Sequence, residues 1–375
     1  MIYTLFTIVI IYFFFTMSMA LIWWWFPAYQ SVETMLPTKK ITLIIPVRNE
    51  EQTLPLLLDD LSRQTYPAGL LEVIIADDAS SDRTRAVAES FILQMPYRLR
   101  VLSLSDERTA SPKKRAIRES IAQATGDLII TTDGDCRVGP RWIEAIAAFQ
   151  ARTGAKLISG PVTFVQEKNA FDWLQTVEGS SLIGSGACTM RLGIPTMCNG
   201  ANLVYEKAAF HEVGGFDGVD HVASGDDELL MHKIAARYPG QIHFLKSADA
   251  IVQTTPQPSL TAFYHQRKRW ASKWRAYQSY LPSLLAVFVF LANAAVPAVL
   301  LAWMGSYLSN LEAVVLLLLK AVPEWLFLGS VLLFLRKKNA WPWILLTQLL
   351  YPFYVVFFGL AAQRKGFRWK DRELT

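Results

Sequence analysis

Two short acidic clusters stand where predicted strands end. Asp77-Asp78 and Asp133-Gly134-Asp135 each follow an apolar, β-branched run, so their carboxylates are predicted at the carboxyl ends of strands. Open α/β sheets bind ligands at that edge. Hard carboxylate oxygens one residue apart suit Mg²⁺ or Mn²⁺ held against a diphosphate. Taken alone, each cluster is more often an ordinary surface turn, because Asp and Gly are common in turns.

Two further polar clusters follow later in the chain. Asp226-Asp227 precedes a helical pattern, where carboxylates also favour the helix dipole. The segment 266–270, Gln-Arg-Lys-Arg-Trp, suits a diphosphate, but by itself it is better explained as one face of a helix on a membrane surface. The segment 113–115 is by itself typical of a solvated helix face. The order of these clusters therefore carries more information than any one of them.

The elements that must position these residues alternate between strand and helix. Apolar runs predict strands at 41–47, 70–76, 98–104 and 127–132, with helices at 50–63, from about 82, and at 113–124. Continuous apolar strands separated by helices predict a mostly parallel sheet covered on both faces. Further along, residues 156–165 are predicted as a strand, and residues 169–192, 226–237 and 261–278 as helices.

Composition indicates a membrane protein. Of 375 residues 52% are hydrophobic, and the mean hydropathy is +0.24. The basic residues behind the net charge of +5 are concentrated near the apolar ends, a distribution that suits an anionic membrane surface. Nucleic-acid binding would instead require basic residues interleaved with exposed aromatics along one soluble surface, and the sequence does not show that pattern. Three cysteines without a CxxC pair argue against a disulfide framework or a zinc site and indicate reduced thiols.

Four apolar stretches are long enough to cross a hydrocarbon layer of about 30 Å. They are residues 2–26, an uncleaved helix, and residues 282–304, 312–335 and 341–362. Glu312, Lys320 and Glu324 in the third stretch are expected to face protein or a polar cavity. Basic residues next to the apolar stretches predict that the domain between the first and second stretches faces the cytoplasm. Three full crossings after that domain would, however, place the basic tail outside, against the same bias. Whether the last stretch crosses fully is left open.

The predicted domain boundaries follow from this pattern. They are an N-terminal transmembrane helix at 1–30, an α/β domain at 38–258, an amphipathic interfacial helix at 259–280, a membrane region of two or three spans at 281–363 and a basic tail at 364–375.

From about residue 41 to residue 270 the clusters match, in order and context, the family 2 inverting glycosyltransferases. The resemblance implies a GT-A-type, Rossmann-like domain, here inserted between transmembrane helices. Asp133-Gly134-Asp135 resembles the metal-binding Asp-x-Asp element of the family. Lys113 resembles the Lys of a Gly-Lys-x-x-Ala-Leu element, although Pro112 replaces the Gly. The donor-nucleotide residues that the resemblance implies are Pro46, Asn49, Glu50, Asp78, Lys113 and Asp133, with Asp135 and Asp133 holding the metal.

The later clusters resemble the catalytic and acceptor elements of the same family. Gly225-Asp226-Asp227 resembles the element that supplies the catalytic base, and Leu230, three residues on, selects Asp227 with Asp226 as the alternative. Gln266, Arg269 and Trp270 match Gln-x-x-Arg-Trp, which cellulose, chitin and hyaluronan synthases carry and ceramide glucosyltransferase carries in variant form. These three residues are expected at the diphosphate and the acceptor. Segments 199–202 and 214–217 resemble stretches around the acceptor site.

The resemblance implies a membrane-bound hexosyltransferase that uses Mg²⁺ or Mn²⁺. It would move a sugar from a nucleotide sugar, UDP above all, to a lipid or lipid-linked glycan in cell-envelope glycolipid or polysaccharide synthesis. The expected location is a bacterial inner membrane, multi-pass, with the catalytic domain cytoplasmic and no nucleic-acid partner. A processive polysaccharide synthase is the alternative, and a non-catalytic membrane scaffold is the alternative from another class. Donor sugar, acceptor, processivity and homo-oligomer formation are left open.

Overall fold

The computed structural model describes residues 2–30, 38–106, 109–273, 280–361, 367–369 and 372–374. The chain divides into two compact units. The first, called the helical unit, comprises Met1–Pro27, Glu167–Cys188 and Pro256–Lys365. The second, called the sheet unit, comprises Ala28–Gln166, Thr189–Thr255 and Gly366–Thr375.

The strands of the sheet unit follow apolar, β-branched runs. In chain order they are β1 (Ile41–Val47), β2 (Leu71–Asp77), β3 (Arg98–Ser103), β4 (Leu128–Thr131), β5 (Leu157–Ser159), β6 (Val162–Phe164), β7 (Leu203–Glu206), β8 (Ile242–Phe244), β9 (Val252–Thr254), β10 (Phe367–Trp369) and β11 (Arg372–Leu374).

Seven of these strands form one sheet in the order β3-β2-β1-β4-β7-β5-β8. Strands β1, β2, β3 and β4 are parallel to one another, whereas the next strand, β7, is antiparallel to both β4 and β5. The register pairs Val47 with Asp77, which aligns the ends of β1 and β2 at one edge. The predicted mostly parallel α/β sheet is confirmed.

The helices of the chain fall into both units. In chain order they are α1 (Ile2–Trp25), α2 (Leu54–Ser62), α3 (Thr84–Ser90), α4 (Pro112–Gln123), α5 (Trp142–Thr153), α6 (Ala170–Arg191), α7 (Lys207–Glu212), α8 (Glu228–Arg237), α9 (Leu260–Ser272), α10 (Leu281–Met304), α11 (Asn310–Phe334) and α12 (Trp341–Ala361). Part of the predicted helix at 261–278 lies outside the described residues, since 274–279 are not among them.

The prediction of one strand at residues 156–165 is wrong. The segment forms β5 and β6, which belong to different sheets, because β6 pairs with β9 instead. Pro161 between them has no backbone N–H to donate to a ladder. At Gly160 a Cβ would lie 2.2 Å from Asn202 Nδ2, so the chain at this break approaches Asn202 more closely than a side chain allows.

Among the described residues, the helical unit contains four helices long and apolar enough to cross a membrane: α1, α10, α11 and the segment Lys338–Phe358 that includes most of α12. Val9 of α1 packs with Val299 of α10 and Leu316 of α11. Helix α6 packs closely on α11, since a Cβ at Gly184 would lie 2.7 Å from Val331.

Two of the three charges expected inside the third span are paired with each other: Lys320 is buried and Glu324 is half-buried. Lys320 Nζ lies 2.7 Å from Glu324 Oε1, and the Tyr12 hydroxyl donates to the same oxygen at 2.6 Å. Glu312 differs from the expectation. It is exposed in the first turn of α11, where it forms a capping box with Ser309.

Candidate active site

The loops after β1 and β2 are joined by hydrogen bonds at the carboxyl edge of the sheet. Arg48 Nη1 donates to the carbonyls of Asp78 and Ala79 at 2.5 and 2.8 Å. The Asn49 amide donates to Ser80 Oγ at 3.0 Å, and both Asn49 and Ala79 have positive φ. Asp78 is buried next to this junction. Backbone in sparsely populated regions is costly and persists only where the surrounding structure fixes it, so these two loops, called the wall below, are held firmly together.

The Asp133-Gly134-Asp135 turn lies against this wall. A Cβ at Gly134 would lie 2.8 Å from Val47 Cγ1 and 3.3 Å from Glu50 Cγ, so only Gly allows the approach. The Thr254 hydroxyl donates to Asp135 Oδ2 at 3.0 Å. Burial, with the neighbouring Asp133 carboxylate second, raises the pKa of Asp135 to about 6. The turn therefore concentrates negative charge in a poorly hydrated place.

Lys113, at the start of α4, links this turn to the later acidic cluster. Its Nζ lies 2.7 Å from Asp133 Oδ1 and 3.3 Å from Asp226 Oδ2. Burial lowers the Lys113 pKa, but the Asp133, Asp226 and Asp227 carboxylates outweigh burial and the net shift is upward. The lysine is therefore charged, and the predicted donor residues Lys113 and Asp133 meet the predicted catalytic pair.

Asp226 and Asp227 occupy different positions within that pair. Asp227 is the N-cap of α8: its Oδ1 accepts from the Glu228 amide at 2.7 Å and its Oδ2 from the Gly200 amide at 3.0 Å. Asp226 instead faces Lys113. The two backbone amides thus hold one oxygen each of the Asp227 carboxylate and fix its orientation.

A residue that the sequence did not single out holds the loop before this pair. The buried Lys114 Nζ donates to the carbonyls of Val219, Val222 and Ser224 at 2.7, 2.7 and 3.0 Å. Lys114 is thus not on a solvated face. A buried ammonium needs several acceptors, and three carbonyls of one loop supply them. Lys113 and Lys114 together position the segment that ends in Asp226.

The predicted diphosphate and acceptor residues lie in the helical unit. Gln266, Arg269 and Trp270 are half-buried on α9. Between them, Arg267 is buried and forms an ion pair with Glu178 of α6. This pair was not predicted, because Arg267 falls at a variable position of the motif.

The donor set fits a divalent cation. In the described part of the chain no group of three or more His, Cys, Asp or Glu side chains gathers as a metal site. Asp133 and Asp135 alone would offer two hard-oxygen ligands, and Mg²⁺ is commonly held by one or two carboxylates together with substrate phosphates. The Asp133 carboxylate, after burial the second cause of the raised Asp135 pKa, is the part of that shift that a bound cation would offset.

Comparison with known proteins finds similarity to glycosyltransferases in this part of the chain. The model for glycosyl transferase family 2 matches residues 42–214. The chain is 32% identical over 124 residues to glycosyltransferase AglE of Haloferax volcanii, covering 33% of this chain and 40% of AglE. It is 24% identical over 252 residues to the beta-monoglucosyldiacylglycerol synthase of Synechocystis sp., covering 66% and 50% of the two chains. The chain spans half or less of the length of these two relatives.

A solved structure shows the same fold. The mannosyltransferase PcManGT from Pyrobaculum calidifontis, in complex with GDP-Man and Mn²⁺, superimposes with a TM-score of 0.58 at 18% identity, covering 92% of this chain and 95% of that one. Identity this low supports the GT-A-like fold alone.

Proposed function

Because residues 42–214 form a family 2 glycosyltransferase domain, we propose that this protein is a membrane-bound inverting glycosyltransferase. It moves a sugar from a nucleotide sugar to a membrane-associated acceptor such as a lipid or lipid-linked glycan. A UDP-sugar is the first donor that we propose. The observation that carries the proposal is the cluster of Asp133, Asp226 and Asp227 around Lys113 at the carboxyl edge of the sheet, in a chain with four candidate membrane spans.

We assign binding of the nucleotide-sugar donor to the wall and to the Asp133-Gly134-Asp135 turn. Asp78 would contact the nucleotide base, and Pro46, Asn49 and Glu50 would shape the pocket beside it. Asp133 and Asp135 would hold Mg²⁺ or Mn²⁺, which when bound neutralises charge on the departing diphosphate. Arg269 would add a planar, permanently charged set of donors. The structure of PcManGT, which contains Mn²⁺ and GDP-Man, supports a divalent metal. Because its donor is a GDP-sugar, GDP-sugars are the second class of donor to test after UDP-sugars.

The acceptor end is assigned to Asp227 as general base. The amides of Gly200 and Glu228 fix its carboxylate, and Lys113 holds Asp226 in an ion pair beside it. Proton transfer from an acceptor hydroxyl to a positioned carboxylate would accompany attack on the anomeric carbon. One displacement with one base inverts that carbon. Asp226 remains the alternative base.

The candidate membrane spans of the described chain and one relative support an acceptor in the membrane. The Synechocystis relative is named for glucosyldiacylglycerol synthesis, which supports a lipid acceptor. The Gln-x-x-Arg-Trp match instead favours a processive polysaccharide synthase, which stays the second candidate. A catalytic domain on the cytoplasmic side of a bacterial inner membrane completes the proposal, since nucleotide sugars are made there.

Donor turnover by the purified protein tests the proposal. Full-length protein in detergent, with membrane lipid extract, should release free nucleotide from one of a panel of UDP- and GDP-sugars. Asp227→Asn protein is the matched control, because the substitution keeps side-chain size. A wild-type preparation that releases no nucleotide from any donor, yet binds the membrane and folds, would instead support the non-catalytic scaffold.

A further inference from the structure

A buried ionic network lies in the helical unit. Glu178 of α6 and Arg267 of α9 are 7% and 5% exposed and form an ion pair through two hydrogen bonds, with Arg267 Nε 2.8 Å from Glu178 Oε1. The Tyr354 hydroxyl of α12 donates to the same Oε1 at 2.5 Å. Three helices therefore meet at one carboxylate.

The Arg267 guanidinium connects this carboxylate to the motif on its own helix. Its Nη1 donates to Gln266 Oε1 at 2.6 Å. Its Cζ lies 4.3 Å from the ring centroid of Phe263 and 4.2 Å from that of Trp270. Spacing of three and four residues puts these rings on the same face of α9 as Arg267. The orientation of Gln266 and Trp270 thus depends on where Glu178 holds the guanidinium.

The chemistry of the pair explains why arginine stands at this position. A buried ion pair contributes little net stability, but loss of one partner leaves an uncompensated charge. Lysine could keep the charge, yet it has no planar face to stack on Trp270 and no second edge to reach Gln266. Orientation, more than stability, is therefore what the guanidinium supplies.

We infer that Glu178 and Arg267 are positioning residues that set the orientation of Gln266 and Trp270 for the acceptor, an inference that rests on the proposed function. Glu178 acts through Arg267 and touches no reacting atom. The chain offers two complementary variants. Glu178→Gln breaks the ion pair, and Arg267→Lys keeps it while removing the planar group.

The matched control is a second buried pair in the same unit. Lys337 Nζ lies 2.8 Å from Glu167 Oε1, and the side chains are 12% and 6% exposed. Glu167 also accepts a hydrogen bond from the Thr176 hydroxyl, and within the described residues neither member of the pair is hydrogen-bonded to Gln266 or stacked on Trp270. Glu167→Gln therefore removes a comparable buried charge without altering the Arg267 contacts.

The experiment follows Trp270 directly by ¹⁹F NMR of full-length, 5-fluorotryptophan-labelled protein in detergent micelles. The Trp270 resonance is assigned with Trp270→Phe. We expect it to shift in Glu178→Gln and in Arg267→Lys but not in Glu167→Gln. The same two variants should lose at least about tenfold in kcat for sugar transfer, as misplaced binding groups do, with nucleotide Kd unchanged.

Each outcome decides the inference. An unmoved resonance with unchanged kcat in both variants overturns it, and so does an equal loss in Glu167→Gln, which would mark general destabilisation. If Glu178→Gln does not fold, Arg267→Lys carries the test because its ion pair remains. If the wild-type protein transfers no sugar, the proposed function fails, while the resonance still reports whether Glu178 positions Trp270.

Discussion

Asp227→Asn separates chemistry from binding at the candidate active site. The asparagine keeps the size of the side chain and can still cap α8 through one oxygen, since Asn and Asp are comparable N-caps. It replaces the other oxygen with an amide donor, so either the Gly200 or the Glu228 amide loses its acceptor. A hydrogen bond to a charged group contributes about 2 kcal/mol, which is the expected loss in the free energy of unfolding.

The expected loss of turnover is larger than this stability change explains. A general base contributes about 10²–10⁴-fold to rate, so kcat should fall by at least about 100-fold, or about 2.7 kcal/mol in activation free energy. Nucleotide-sugar affinity should survive, because the substitution leaves Asp78, Asp133 and Asp135 intact. The assay measures kcat by nucleotide release, Kd by calorimetry and unfolding by thermal melt, all below the melting transition.

Asp220→Asn serves as the matched control. It lies on the same loop with 57% of its side chain exposed, so the same charge is removed without loss of activity. Retained turnover in Asp227→Asn would refute the assignment. If Asp226→Asn loses turnover while Asp227→Asn keeps it, the base is Asp226 and the Lys113 ion pair belongs to the catalytic group.

Three further predictions concern the metal, the fold and the membrane. Asp135→Ala should abolish sugar transfer, and EDTA should do the same to the wild type until Mg²⁺ or Mn²⁺ is restored; full activity in EDTA would contradict the metal assignment. Asp60→Asn should lower the melting temperature at neutral pH, because burial raises the Asp60 pKa but hydrogen bonds from Arg137 and Val138 outweigh it and the net pKa is lowered. That stabilisation is present above the unfolded pKa of about 3.9 and is lost as pH falls through the lower folded pKa, so the gap in melting temperature between the variant and the wild type should narrow as pH falls below about 3.9. A gap that stays constant as pH falls further would refute it. An impermeant maleimide should label Asp220→Cys, in a Cys198→Ser background, only after cell lysis, and labelling of intact cells would place the domain outside.

The parallel half of the sheet could be predicted from the sequence. Strands β1 to β4 lie within one or two residues of the predicted ranges, because their apolar runs are continuous and each is bounded by turn residues. The acidic clusters follow β2 and β4 as predicted for the same reason. The antiparallel strand β7 was not predicted, since its four residues carry too short a pattern and its place between β4 and β5 is set by long-range pairing.

Contacts across long sequence separations account for what else the sequence could not show. Lys114 belongs to a basic run typical of a solvated helix face, yet its carbonyl partners lie 105 to 110 residues away. Glu178 and Arg267 are 89 residues apart, so neither pattern alone indicates their pairing. Only the chemistry of the residue indicated such a pair. An arginine between Gln266 and Trp270 can lie on the apolar face of an amphipathic helix, and its buried charge then needs a carboxylate partner.

Mass analysis of the product tests the central claim most directly. Purified full-length protein would be given the donor that it turns over, with membrane lipid extract and Mg²⁺ or Mn²⁺, and Asp227→Asn protein would serve as the blank. We expect a single hexose-type mass increment on a lipid or lipid-linked glycan. A ladder of sugar oligomers would identify the processive synthase instead. A soluble product that forms equally well without membranes would contradict the membrane-associated acceptor.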